Sequence, residues 1–116
     1  MKLYIAVLDE VPDHMVPVLV AHTVLGAHLK FNDNEDYCFW LDNYYKKCVV
    51  RVNRKEFKKI SEIPYTYLGH ENTTLDGEKS CAVPLPVQNE NIPNVLKFAK
   101  LWKPKATLAN VVIAAD

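Results

Sequence analysis

Residues 15–31, MVPVLVAHTVLGAHLKF, form a long apolar run that carries His22 near its middle. The run follows a shorter apolar stretch, residues 2–8 with the sequence KLYIAVL, across a polar connection. A short, nearly continuous apolar run with Tyr, Ile and Val is typical of a strand that is buried on both faces. The two stretches therefore predict a strand that leads into a helix, which is the core unit of an α/β domain.

Apolar side chains occupy nearly every face of this predicted helix. Because a helix that is apolar all round is usually buried between layers, we expect it to be covered on all sides. Asp13 or His14 could cap its first turn, and Pro17 suits that turn because no backbone N–H is needed there.

The rest of the chain predicts three further helices and three further strands. They are a helix that is capped by Asn32 or Asp33 and ends near Tyr45, a strand at 48–52, a helix at 54–60, strands at 65–68 and 80–85, and a helix at 94–102. Pro84 would place the last strand at an edge of the sheet or mark its end.

The predicted element order is β-α-α-β-α-β-β-α. Such an order indicates an α/β sandwich of two or three layers around a mixed four-stranded sheet. We expect the first two strands to be parallel with a right-handed crossover, and the last two to be antiparallel.

The length and composition predict one globular domain over residues 1–116, since 49% of the residues are hydrophobic and 24% are charged. We expect a C-terminal extension from about residue 104. Its apolar part, residues 106–115, could add an edge strand, cover a face or pair with a second subunit to give a homodimer. Fourteen basic residues balance fourteen acidic ones, so the net charge identifies no partner.

The three cysteines, Cys38, Cys48 and Cys81, are odd in number and form no zinc-binding pattern. With no signal-peptide pattern and no run long enough to span a membrane, they favour a cytoplasmic protein. His22 and His28 are six residues apart and would lie on different faces of the helix, so we expect no metal site there. No motif indicates a cofactor.

Several short strings, together with the element order, resemble the type II peptidyl-tRNA hydrolases. VAH at residues 20–22 matches the end of that family's helix motif, and residues 39–60, FWLDNYYKKCVVRVNRKEFKKI, resemble its helix–strand–helix segment. In residues 63–86, IPYTYLGHENTTLDGEKSCAVPLP, Thr73 and Leu75 fall on the family's TQL, and Ser80 falls on a later threonine. The resemblance covers roughly residues 2–102.

This resemblance implies hydrolysis of the ester that joins a peptide to tRNA. The residues that it implies for catalysis are His22, Thr73, Ser80 and His70. Hydrolysis needs an activated water, and a histidine titrates in the range in which it can act as a base. The alternative for His22 is a core histidine that bonds to a backbone carbonyl. The hydroxyl groups could instead bond within their own turn, and His70 and Glu71 could be exposed loop residues.

The sequence also departs from the family pattern. Asp9, Glu10 and Asp13 stand where the family has a loop rich in lysine and glycine, and Leu19 stands at its helix glutamine. The family's loop aspartate falls at Gly69 or, with a slip of one residue, at His70. A degenerate module that binds RNA, a nucleotide or a protein is therefore the alternative to an active hydrolase.

Seven basic residues lie close together in the middle of the chain. They are Lys46, Lys47, Arg51, Arg54, Lys55, Lys58 and Lys59. They could form a positive surface for RNA phosphates, with Tyr44 and Tyr45 stacking on bases. The alternative is a solvated surface that is balanced by the acidic residues between Asp33 and Asp42.

Overall fold

The computed structural model describes residues 1–105. The expectations for the apolar tail lie outside these residues. Four α-helices and five strands occur in the described part, in the order β1 (Leu3–Leu8), α1 (Val16–Phe31), α2 (Glu35–Asn43), β2 (Lys47–Val52), α3 (Arg54–Ser61), β3 (Tyr67–Gly69), β4 (Cys81–Val83), α4 (Asn94–Lys97) and β5 (Lys100–Leu101). None of these helices is long and apolar enough to cross a membrane.

The strands form one mixed sheet with the order β3-β4-β1-β2-β5. β1 and β2 are parallel, with Leu3 opposite Lys47 and Leu8 opposite Val52, whereas the remaining pairs are antiparallel. The α/β class, the mixed sheet, the parallel first pair and the antiparallel β3–β4 pair are thus confirmed. β4 ends before Pro84, as one alternative predicted, but it lies inside the sheet rather than at its edge.

The prediction of four strands is wrong, because β5 adds a fifth at the outer edge of β2. Leu101 lies opposite Val50 and Lys100 opposite Arg51. The helix expected over residues 94–102 ends at Lys97, so the following residues are free to pair with backbone groups that β2 would otherwise leave unpaired.

Helices cover both faces of the sheet, so the sandwich has three layers. Leu3, Ile5 and Val7 of β1 belong to a core with α1 and α2. Ala6, Val50 and Val52 belong to a second core, to which α3 and α4 contribute Ile60 and Leu96. Alternate side chains of a strand point to opposite faces, which accounts for this division.

The expectation that α1 is covered on all sides is wrong. Leu19, Thr23 and Ala27 are fully buried against the sheet, but Leu25 and Leu29 are 61% and 67% exposed. α1 belongs to an outer layer, so only one side of it faces the sheet.

The helix termini also differ in part from the predicted ones. No side chain caps α1, which follows a 3₁₀ turn at Asp13–Met15, although Pro17 does lie in its first turn. Asn34, rather than Asn32 or Asp33, caps α2 and accepts a hydrogen bond from the Tyr37 N–H.

Two glycines allow α1 to approach β3 closely. A Cβ on Gly26 would overlap the ring of Tyr67, and a Cβ on Gly69 would overlap the side chain of Thr23. The Tyr67 ring of β3 therefore packs on α1 at Gly26, and the Thr23 side chain of α1 packs on β3 at Gly69. This packing places the His22 turn of α1 beside the loop that follows β3.

Candidate active site

His22 lies on α1 with its side chain 53% exposed, so it is not a core histidine. Its Nε2 atom is 2.7 Å from Oε2 of Glu71, in the loop between β3 and β4. In the neutral ring, an Nε2–H that donates to this carboxylate leaves Nδ1 with a lone pair. The contact thus assigns Nδ1 as the atom that can accept a proton.

Thr73 holds the carboxylate that contacts His22. Its hydroxyl donates to Oε1 of Glu71 over 3.1 Å, and its backbone N–H donates to the same oxygen over 3.3 Å. These two bonds and the nearby His22 lower the pKa of the Glu71 carboxyl, with the Thr73 hydroxyl having the largest effect. Glu71 is therefore charged at neutral pH and can stabilise a protonated imidazole.

The loop between β3 and β4 is held at two points. Glu71 binds α1 through His22, and Glu78 accepts two hydrogen bonds from Arg54, the first residue of α3, at 2.7 and 3.0 Å. Between these points, Leu75, Asp76 and Gly77 have positive φ angles, so the backbone makes a tight turn. The position of Glu71 is therefore supported on both sides.

The structure brings only part of the predicted catalytic set together. Thr73 joins His22 through Glu71, whereas His70 is exposed and its Nδ1 lies 2.9 Å from Nζ of Lys79. Ser80 is fully buried, and its Oγ has no hydrogen-bond partner among the described residues. Within residues 1–105, neither His70 nor Ser80 forms a hydrogen bond with the His22 ring.

Glu71 is a site residue that the sequence does not connect with His22. The sequence indicates Glu71 only beside His70, either as a polar pair or as exposed loop residues, whereas in the structure its carboxylate contacts His22. One feature of the sequence could have indicated the bond between Glu71 and Thr73. Glu71 lies two residues before Thr73, a spacing at which a side chain in a turn often accepts a hydrogen bond from a backbone N–H.

The two arginines of the basic stretch bind carboxylates of the chain itself. Arg51 lies 3.3 Å from Oδ1 of Asp13 and packs on the ring of Trp102. Arg54 contacts both Glu10 and Glu78, and these bonds raise its pKa above the usual range. Both guanidinium groups are thus engaged with carboxylates within the described part of the chain.

The five lysines of the stretch separate into two places. Lys55, Lys58 and Lys59 are exposed on α3, which packs on the Val50 side of the sheet. Lys46 immediately precedes β2 and Lys47 is its first residue, and the Lys47 ammonium lies 3.2 Å from the centroid of the Tyr45 ring. The structure therefore does not gather all seven residues on one surface.

An apolar groove of about 590 Å³ lies between α1 and α2. His28 lines it and bonds through Nδ1 to the Tyr37 hydroxyl at 2.9 Å. His22 does not line this groove, which confirms that the two histidines lie on different faces of α1. Burial raises the pKa of the Tyr37 hydroxyl.

The three cysteines differ in burial, with Cys81 fully buried and Cys38 and Cys48 partly exposed. All three are free thiols, and burial raises the pKa of Cys81 to about 12. No group of three or more His, Cys, Asp or Glu side chains that could hold a metal ion occurs within residues 1–105.

Comparison of the sequence with protein-family models and with curated proteins found no match.

Proposed function

We propose that the protein is an ester hydrolase similar in action to the type II peptidyl-tRNA hydrolases, with His22 as its general base. The observation that carries the proposal is the hydrogen-bonded series from Thr73 through Glu71 to a half-exposed His22. A base that is oriented by a third group is the arrangement by which hydrolases activate water.

In the proposed reaction, Nδ1 of His22 accepts a proton from water while the water oxygen attacks the ester carbonyl. Glu71 stabilises the imidazolium that forms and keeps the ring oriented, as a carboxylate does beside a catalytic histidine. The imidazolium then gives its proton to the departing ribose oxygen, which releases the peptide acid and the free tRNA hydroxyl. The exposed position of the ring suits a large substrate.

A second candidate function is RNA binding without catalysis. It is favoured by Leu19 at the helix position where the resembled family has glutamine, and by the burial of Ser80 away from His22. The exposed lysines of α3 and of the start of β2 would then be the remaining functional residues.

Hydrolysis of a purified peptidyl-tRNA separates the two candidates. We expect turnover by the unchanged protein and a loss of about 10²–10⁴-fold in kcat/KM for His22→Ala, which is the usual contribution of a general base. His14→Ala is the matched control, because His14 is exposed and lies outside the Glu71 series. No turnover, or equal turnover in His22→Ala, would exclude the catalytic proposal.

A further inference from the structure

A basic cleft of about 620 Å³ lies at the outer edge of β2, away from the His22 series. Four lysines line it: Lys2, Lys46, Lys47 and Lys103. The other lining residues are Cys48, Val49, Leu101 and Trp102, so no carboxylate contributes to the cleft. We call this surface the lysine cleft.

The ammonium groups of the lysine cleft are not neutralised within residues 1–105. None of the four forms an ion pair with a carboxylate there, in contrast to Arg51 and Arg54. Lys47 donates to the Tyr45 carbonyl over 3.0 Å and lies over the Tyr45 ring, and neither contact supplies a carboxylate to pair with its ammonium group. Four like charges around one concavity repel one another, and a bound anion would relieve that repulsion.

The backbone beneath the lysine cleft is held firmly. The Lys46 carbonyl accepts hydrogen bonds from the Leu3 N–H at 2.8 Å and from Nε1 of Trp40 at 2.9 Å. Trp102 donates its N–H to the Val49 carbonyl over 2.9 Å on the other side. The positions from which the lysines project are therefore set before any ligand binds, which reduces the ordering cost of binding.

Protection of an open sheet edge explains only part of this charge. β5 pairs with Val50 and Arg51, so the start of β2 has an open side, and lysine at such an edge discourages pairing with other chains. Lys47, the first residue of β2, is sufficient to protect this open edge. Lys2 precedes β1 and Lys103 follows β5, so neither is part of the open strand.

We propose that the lysine cleft binds consecutive phosphates of a single-stranded nucleic acid. The chemistry is that of several ammonium groups around an open cleft that no carboxylate lines, which suits a phosphate backbone. This inference deepens the proposed function, on which it rests for the choice of RNA as the ligand, by naming the surface that holds the strand. Binding there does not require His22.

The test is the salt dependence of binding of a fluorescent single-stranded RNA of about 20 nucleotides, a length that exceeds one small-domain site. We expect Lys46→Ala/Lys103→Ala to reduce the slope of log affinity against log salt by about 1.4, since each lost phosphate contact on a single strand contributes about 0.7. Lys30→Ala/Lys97→Ala removes the same charge from exposed positions on α1 and α4, outside the lysine cleft, and should leave the slope unchanged.

Three outcomes would overturn the assignment. The first is an absence of RNA binding, and the second is an equal effect of the two double variants on the slope. The third is displacement of the RNA by inorganic triphosphate at the same total phosphate concentration, because it would show that the cleft binds a compact anion rather than a strand. His22→Ala should bind RNA as the unchanged protein does. Unchanged hydrolysis in His22→Ala, with binding that weakens in Lys46→Ala/Lys103→Ala, would contradict only the catalytic proposal. Loss of hydrolysis in His22→Ala, with binding that is unaffected by Lys46→Ala/Lys103→Ala, would contradict only the cleft proposal.

Discussion

At the level of single residues, Glu71 decides which nitrogen of His22 is available. The carboxylate engages Nε2, so Nδ1 is the atom that faces the substrate side in the proposed reaction. Thr73 donates to the carboxylate and lowers its pKa, so in the proposed reaction Thr73 would be a positioning residue rather than a proton-transfer group.

We expect Glu71→Gln to lower kcat more than it raises KM. The amide can present either an acceptor or a donor to Nε2, so the ring would lose its single preferred tautomer. Rates of peptidyl-tRNA hydrolysis over a range of substrate concentrations give kcat and KM separately. Thr73→Val should produce a smaller loss of the same kind, and a wild-type kcat in Glu71→Gln would show that the contact has no catalytic role.

His22 could be singled out from the sequence, but its partner could not. A histidine within an apolar helix is conspicuous in any sequence. Its contact with Glu71, 49 positions further along, depends on how closely α1 approaches β3, and this depends on Gly26 and Gly69. Close approach at a glycine leaves no periodic signal in the sequence.

At the level of elements, the contact between α1 and β3 depends on small residues. Thr23 fills the space above Gly69 and donates its hydroxyl to the Leu19 carbonyl over 2.7 Å, so its rotamer is held. The Tyr67 ring occupies the corresponding space above Gly26. Neither side chain can move aside without losing packing in the buried layer.

Gly69→Ala should destabilise the protein by about 1–3 kcal/mol, the usual cost of adding a methyl group to a filled core. Urea unfolding followed by circular dichroism measures this change. Combining Gly69→Ala with Thr23→Ala should recover part of the loss, because the second change empties the space that the new methyl group needs. Strict additivity of the two variants would contradict the described packing.

Local patterns predicted the elements that form by themselves. A nearly continuous apolar run identified β1, β-branched residues identified β2 and an amphipathic pattern identified α3. The structure adds a reciprocal cap of α3 by Asn53 and Glu56. β5 escaped prediction because its two residues become a strand only through pairing with Val50 and Arg51. This pairing depends on the exposed edge of β2, which lies about 50 residues earlier in the chain. A pattern within a few neighbouring residues therefore cannot reveal it.

Arg54→Ala should loosen the β3–β4 loop without unfolding α3. The substitution removes the bonds to Glu78 and Glu10, while the Asn53–Glu56 cap remains. Hydrogen exchange of backbone amides in residues 71–78 should become faster. Lys55→Ala is the control, since Lys55 is the exposed neighbour on the same helix. Unchanged exchange in Arg54→Ala would show that the loop is held by other contacts.

At the level of the whole molecule, ionised carboxylates in the loops bind arginines of β2 and α3. A backbone N–H of Lys105 and the Arg51 side chain lower the pKa of Asp13, and Arg54 lowers that of Glu78. Glu71 is shifted in the same direction by Thr73. Although the net charge is zero, the protein therefore contains specific carboxylate contacts whose strength depends on pH.

Stability should fall as the solution is made acidic. A carboxyl whose pKa is lower in the folded state stabilises the fold above its unfolded value, and this contribution disappears as pH drops through the folded value. The ordinary values are 3.8 for Asp13 and 4.5 for Glu71 and Glu78, so the loss should begin near them and continue below. Urea midpoints at several pH values measure it, and Asp13→Asn/Glu78→Gln should flatten the acid limb.

The loop from Glu71 to Glu78 joins helices that lie on opposite faces of the sheet. One end holds His22 of α1 and the other holds Arg54 of α3. We expect the two faces to be thermodynamically coupled through this loop, because a change in one anchor would alter the freedom of the other. In the proposed reaction, a charge change beside α3 would then shift the carboxylate that contacts the imidazole on the other side of the sheet.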